Sequence, residues 1–435
     1  MNQKIRIALI SFLLVCGTFY FIFSRWANEN GLFSPEVYFF SFSTHGHLED
    51  YIKNLFLAYP VLPSTIAFLY SSAPFIIAGT GILITILSLP WLFPTEPLLL
   101  GLFLLTLFAS PLFFSSLCTT PTFLLFFAFL LSAFFRFLRY QEEKTPYHLF
   151  LGGILFGITF LIHPHAGWFT IPLIVSTLFL LPGTITQKFS LLMVILFPGF
   201  TFLGIIAFLN WVYTGNALSF LHSSHSFCPY LPSFSWTNWK QAFLQFPRWA
   251  VFLGPILVGT FREKKRLFWS AVVVAGSTAL PFFLPLLATL LTLGAGFLKT
   301  PSPGKIRRFV LALSLGISLA TGWALFFLSP TQFFSFPPYK PLQEKLIEYR
   351  EIASLLDAPT GVLVLDRDYF LTASWPGYLT VIIPKRSFPQ ITPVQLYDYI
   401  IQPAEIPGVF PDSREIFRGK KLRLYQKEKV QPNLP

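Results

Sequence analysis

Charge is what this 435-residue sequence has least of: 11% of its residues are charged, against 54% hydrophobic. Soluble domains carry about a quarter charged residues, so the chain has too few to clothe an ordinary water-facing surface. Cysteine is scarce as well, with Cys16, Cys118 and Cys228 the only three, which excludes a disulfide framework and leaves them as inert thiols. No self-similarity recurs at a period of about 20–50 residues, which excludes a solenoid or propeller array. The expected membrane spans hold no Asp, Glu, Lys or Arg well inside, which argues against a coupled carrier.

What the chain has instead is apolar length. Aromatics make up 18% of it, and mean hydropathy is +0.63. Its apolar runs are long enough to cross a hydrocarbon core of about 30 Å. Continuous runs of this kind span as helices, since a barrel requires short alternating segments. Spans are expected at 5–23, 73–93, 97–116, 121–138, 148–163, 167–183, 189–213, 246–261, 267–281, 282–298 and 309–329. The fold class is thus an all-α polytopic membrane protein of about eleven transmembrane helices, with a membrane body at 1–333 and a small α/β domain at 334–435.

Basic residues orient it. With the amino terminus inside, the inner segments hold fourteen Lys and Arg, and the outer loops before the last span hold four, Arg25, Lys53, Lys240 and Arg248. Positive residues stay on the cytoplasmic side, so the expected location is the cytoplasmic membrane with an extracytoplasmic carboxyl-terminal domain. The net charge of +12 resides mostly in these short inner loops, where it meets anionic lipid heads, which excludes nucleic acid as a partner. Residues 1–24 have a basic start but no small-residue cleavage pattern, and read as an anchor helix rather than a signal peptide.

Beyond a stiff stretch with Pro337, Pro338 and Pro341, the tail alternates helical and strand patterns. PLQEKLIEYREIASLLD predicts a helix, GVLVLD and YLTVIIP short buried strands, TPVQLYDYIIQ a helix and KLRLYQK a final edge strand.

Ionisable groups concentrate in the first outer loop, 25–72, with Glu29, Glu36, Glu49, Asp50, His45, His47, Arg25 and Lys53. A second outer loop, 213–247, carries His222, His225 and a run of aromatics suited to an interfacial helix or to substrate contact. Six of seven histidines fall on the outer side, paired as His45 with His47, His163 with His165 and His222 with His225. Such pairs serve as metal ligands, as donors to a phosphate or sugar, or as solvated interface groups. No cofactor is called for, although a divalent metal stays an option. Glu36 follows Ser34 and Pro35 at an expected helix start, a place where an acid suits the macrodipole and equally a place for a general base. Glu49 and Asp50 read as a solvated turn or as further acids of the same site.

Several stretches carry a likeness. Glu36-Val37-Tyr38 opens the long outer loop, Tyr59-Pro60-Val61-Leu62 precedes the second span, SPLFFSSL occupies 110–117 and LNWVYTGNALSF occupies 209–220. Together with the anchor helix and the α/β tail, they resemble the GT-C glycosyltransferases, in particular the family 39 and RgtA/B/C/D-like lipid-linked sugar transferases. The resemblance implies transfer of a sugar from a polyprenyl-phosphate donor to a lipid, glycan or protein acceptor of the cell envelope. It also implies that Glu36 is the catalytic base, that His163 and His165 contact the donor phosphate, and that His45, His47, Glu49 and Asp50 shape the acceptor side. Leu57 and Ala58 stand where the family keeps a second acid. A non-catalytic scaffold or lipid-glycan-binding protein on the same body is the alternative.

Overall fold

The computed structural model describes residues 60–69, 73–88, 121–163, 183–222, 340–356, 360–365, 379–382, 398–406 and 413–427, with single positions between them, among them Glu36, Phe39, Phe40, Ala166, Asp368 and Trp375. The chain divides into two compact units, Met1–Val37 with His47–Ser335, and Tyr38–Gly46 with Phe336–Pro435.

The first unit is helical: α1 (Val61–Leu69), α2 (Ala73–Ser88), α3 (Pro121–Glu143), α4 (Pro146–Ile162), α5 (Ile185–Thr214) and α6 (Ser219–His222). Local chemistry sets these ends. Pro121 and Pro146 stand at first helical positions, where a missing N–H costs nothing. At the start of α5, Thr184 and Gln187 cap reciprocally: the Gln187 N–H donates to Thr184 Oγ1, and the Thr184 N–H donates to Gln187 Oε1. Gly215 ends α5 in the left-handed region, φ 73°.

Helices α3 and α4 form a tight hairpin turned at Lys144, φ 56°, whose N–H bonds back to the Tyr140 carbonyl at 2.9 Å. Helix α4 is the middle of the described bundle, packed between α3 and α5. Adjacent glycines make this possible. A Cβ on Gly152 would meet Phe137 and Arg136 of α3, and one on Gly153 would lie 2.8 Å from the Ile195 carbonyl of α5. A turn later, Gly157 faces Pro198 and Gly199 in the same way. Residue numbers rise together along this contact, so α4 and α5 run parallel at close backbone approach. Pro198 has no N–H for the Val194 carbonyl, and that carbonyl lies where Gly153 leaves room.

Among the described residues, α5 is the one helix long and apolar enough to cross a membrane, by length and composition. Its 30 residues rise roughly 45 Å. Its most apolar stretch is only 33% buried, and its exposed side carries Phe189, Met193, Phe197, Phe200 and Phe208, while the exposed hydroxyls of Ser190 and Thr201 bond back to carbonyls of their own helix. The expected spans 97–116, 246–261, 267–281 and 282–298 lie outside the described residues, as do most positions of 5–23, 167–183 and 309–329.

The second unit is a helix, α7 (Lys340–Ser354), and a five-stranded sheet of β1 (Thr360–Val364), β2 (Leu379–Ile382), β3 (Tyr399–Pro403), β4 (Ser413–Arg418) and β5 (Leu422–Lys427). Strand order is β2-β1-β3-β5-β4, with β2, β1 and β3 parallel and the β4–β5 hairpin antiparallel to β3. Two expectations are corrected here. The end of TPVQLYDYIIQ is strand β3, because Tyr399, Ile400 and Ile401 find partners on both sides in β1 and β5, and pairing outweighs a helical pattern. KLRLYQK is not an edge, because Ser413–Arg418 supplies one more strand outside it.

Glu348 ties the helix to that hairpin. Its buried carboxylate accepts from the backbone N–H groups of Lys420, Lys421 and Leu422 at 2.8–3.1 Å. Gly419 precedes these donors, and a Cβ there would collide with the same carboxylate. Lys345 pairs with Asp368, and buried Tyr349 packs beside Trp375, whose Nε1–H donates to the Tyr349 carbonyl.

Candidate functional site

Glu36 is helical and 1% exposed. Thr122 supplies both of its described hydrogen bonds: the hydroxyl donates to Glu36 Oε2 at 2.7 Å, and the backbone N–H donates to the same oxygen at 3.2 Å. Thr122 is the second residue of α3, and its N–H is one of those an α-helix cannot satisfy internally. The acid expected to favour the start of its own helix therefore caps another helix 86 residues later in the chain. Burial pushes the Glu36 carboxyl up from 4.5 to about 7, against the lowering effect of the two Thr122 bonds. Glu36 lies outside the expected spans.

His163 closes α4 as its C-cap, with its N–H on the Thr159 carbonyl at 2.9 Å and its own carbonyl accepting from Ala166. It is 3% exposed, and its ring lies 5.5 Å from the Phe126 ring, tilted by 47°. Phe126 follows Thr122 by four positions on α3. Residues so spaced share a helix face, roughly 6 Å apart along the axis, so the acid and the imidazole address neighbouring turns of one face.

A second set of contacts surrounds the same ends. Ile206 and Phe220 form a buried cluster with Val61, Leu161 and Leu221 packed on it. It joins the residue after Pro60, the residue two before His163 and the stretch LNWVYTGNALSF. That stretch folds into a polar knot. Buried Asn210 donates to the Ile206 carbonyl at 2.9 Å and accepts from Ser219 Oγ at 2.6 Å, while Thr214 Oγ1 lies 3.0 Å from Ser219 Oγ. The Leu218 N–H closes on Asn216 Oδ1 at 3.0 Å, setting α6 against the end of α5.

At the opposite end of the α3–α4 hairpin, His148 bridges Arg136 and Glu143. Arg136 Nη1 lies 3.3 Å from Nδ1, and Glu143 Oε2 lies 2.7 Å from Nε2. Arginine only donates and carboxylate only accepts, which assigns the Nε2–H tautomer. This histidine therefore serves the hairpin.

His165, His45, His47, Glu49 and Asp50 lie outside the described residues, as does SPLFFSSL. Among the described residues no group of three or more His, Cys, Asp and Glu is placed to hold a metal ion. Sequence reasoning passed over Thr122 and Phe126, for which only Pro121-Thr122, a proline at a helix start followed by a hydroxyl residue, offered a local signal; Asn210 and Ser219 were marked only as members of LNWVYTGNALSF. Comparison with known proteins finds no matching family model, no matching curated protein and no matching solved structure.

Proposed function

We propose that the chain is a polytopic membrane glycosyltransferase of the GT-C kind, which moves a sugar from a polyprenyl-phosphate donor to a cell-envelope acceptor on the extracytoplasmic side. The observation that carries this reading is that a buried acid and a buried imidazole pack against adjacent turns of α3, the acid on Thr122 and the imidazole on Phe126. Burial brings the Glu36 carboxyl to about 7, near the value a general base needs at neutral pH. As the acceptor oxygen bonds to the anomeric carbon, its proton passes to Glu36. The bond from that carbon to the phosphate oxygen breaks, and polyprenyl phosphate departs with the electron pair. His163, with His165 beside it in sequence, is suited to donate to that developing charge. The scheme needs no divalent ion.

Membrane residence is supported by the apolar exposed side of α5, since a helix apolar all round belongs in a protein core or in lipid. The charge asymmetry of the loops supports an inner amino terminus and an extracytoplasmic second unit.

The test is release of polyprenyl phosphate by purified protein in proteoliposomes, from radiolabelled polyprenyl-phosphate hexoses and pentoses with envelope glycan as acceptor. Turnover is expected with at least one donor, and His163→Ala should raise the donor KM about tenfold or more. Absence of turnover with every donor rejects the enzyme. A second reading follows from the same bonds, because Glu36 serves Thr122 as a helix cap. On that reading the body is a non-catalytic scaffold that holds a lipid-linked glycan.

A further inference from the structure

We infer that Thr122 is a positioning residue for Glu36: it binds one carboxylate oxygen with two donors, stabilises the anion in a buried site and leaves the other oxygen to take a proton. This deepens the transferase reading and rests on it for its catalytic part. The geometry is specific. Both described bonds fall on Oε2, and among the described residues none falls on Oε1. Both donors also come from one residue at the start of a 23-residue helix, where the macrodipole favours negative charge. Two described groups lie on this side of α3. Thr122 faces it from α3, and His163 at the end of α4 packs on the next turn of that helix. Among the described residues, desolvation raises the carboxyl's proton affinity and the two Thr122 bonds lower it. The hydroxyl bond at 2.7 Å is the shorter of the two and the one that a substitution can remove.

Infrared difference titration of full-length protein in proteoliposomes reads the Glu36 carboxyl, with Glu36→Gln identifying its band. Thr122→Val should raise the midpoint by about one pH unit, as expected for losing a hydrogen bond to the charged form. Thr122→Ser keeps both donors and should titrate as wild type. Thr122→Ala removes the same donor with a smaller side chain, and serves if the valine variant fails to fold; it should shift the midpoint in the same direction. The acid limb of kcat/KM for sugar transfer should move with the midpoint. An unmoved midpoint in the valine or alanine variant overturns the inference, as does a serine variant that shifts as far as valine. If no transfer is found at any pH, the transferase reading fails, and the infrared midpoints still decide the role of Thr122.

Discussion

At the scale of single residues, one carboxylate caps α3 and is also the proposed base. Capping and catalysis separate by substitution. Glu36→Gln retains a carbonyl oxygen for Thr122, whereas Glu36→Ala leaves a buried N–H and hydroxyl without their acceptor. That loss should cost about 1–3 kcal/mol, measured as thermal unfolding in detergent. The pH dependence has a definite sign. The folded carboxyl holds its proton up to about 7, against 4.5 when solvated. Its contribution to stability is therefore complete below 4.5 and is lost as pH rises through about 7. Across that interval the thermal midpoint of wild type should fall relative to Glu36→Gln, and parallel profiles would contradict the burial. A base requires the anion, so transfer should rise over the same interval in which stability declines, a trade expected where a functional group is buried. Glu36 was legible in the sequence as an ionisable group near a helix start. Its partner was not, because no local pattern connects residues 86 apart.

At the scale of elements, the bundle depends on how closely backbones approach. An alanine at Gly153 would set its Cβ 2.8 Å from the Ile195 carbonyl, with backbone on both sides of the contact. The helices must then separate, at a cost of about 1–3 kcal/mol. Gly204 is the control: it lies on the exposed side of α5 with nothing within 4 Å of an added Cβ, and alanine there should stabilise by up to about 1 kcal/mol. Equal thermal shifts in the two variants would remove the packing argument. In the second unit, Glu348→Ala strips the β4–β5 turn of its acceptor. Amide exchange at Lys420, Lys421 and Leu422 should then accelerate at least about tenfold while α4 is unchanged. The apolar runs made the long helices readable, and α3, α4 and α5 occupy the runs expected at 121–138, 148–163 and 189–213. Strands were harder. Ser413–Arg418, with Arg414, Glu415 and Arg418 exposed, has no apolar alternation to announce it, and its pairing with β5 alone makes it a strand.

At the scale of the whole molecule, composition and charge placement argue for a membrane body with its polar ends sorted by side. That topology is open to a direct labelling experiment. In a background with Cys16, Cys118 and Cys228 replaced by serine, an impermeant maleimide on intact cells should modify Arg418→Cys in the second unit. Arg262→Cys, in an expected inner loop, should react only after the membrane is opened; labelling of both from one side would reverse or dismantle the topology. The stretches at 59–62 and 209–220 are each unremarkable alone, yet they converge with the His163 end of α4. Such convergence is a property of packing and cannot be read from separate motifs. It also leaves the choice between enzyme and scaffold to chemistry, since both retain the cap on α3. The most direct measurement is therefore turnover of a polyprenyl-phosphate sugar by wild type and Glu36→Gln at matched folding, in proteoliposomes above pH 7. The account predicts a loss of about 100-fold or more in kcat with a thermal midpoint no lower than that of wild type; full turnover by Glu36→Gln would contradict it.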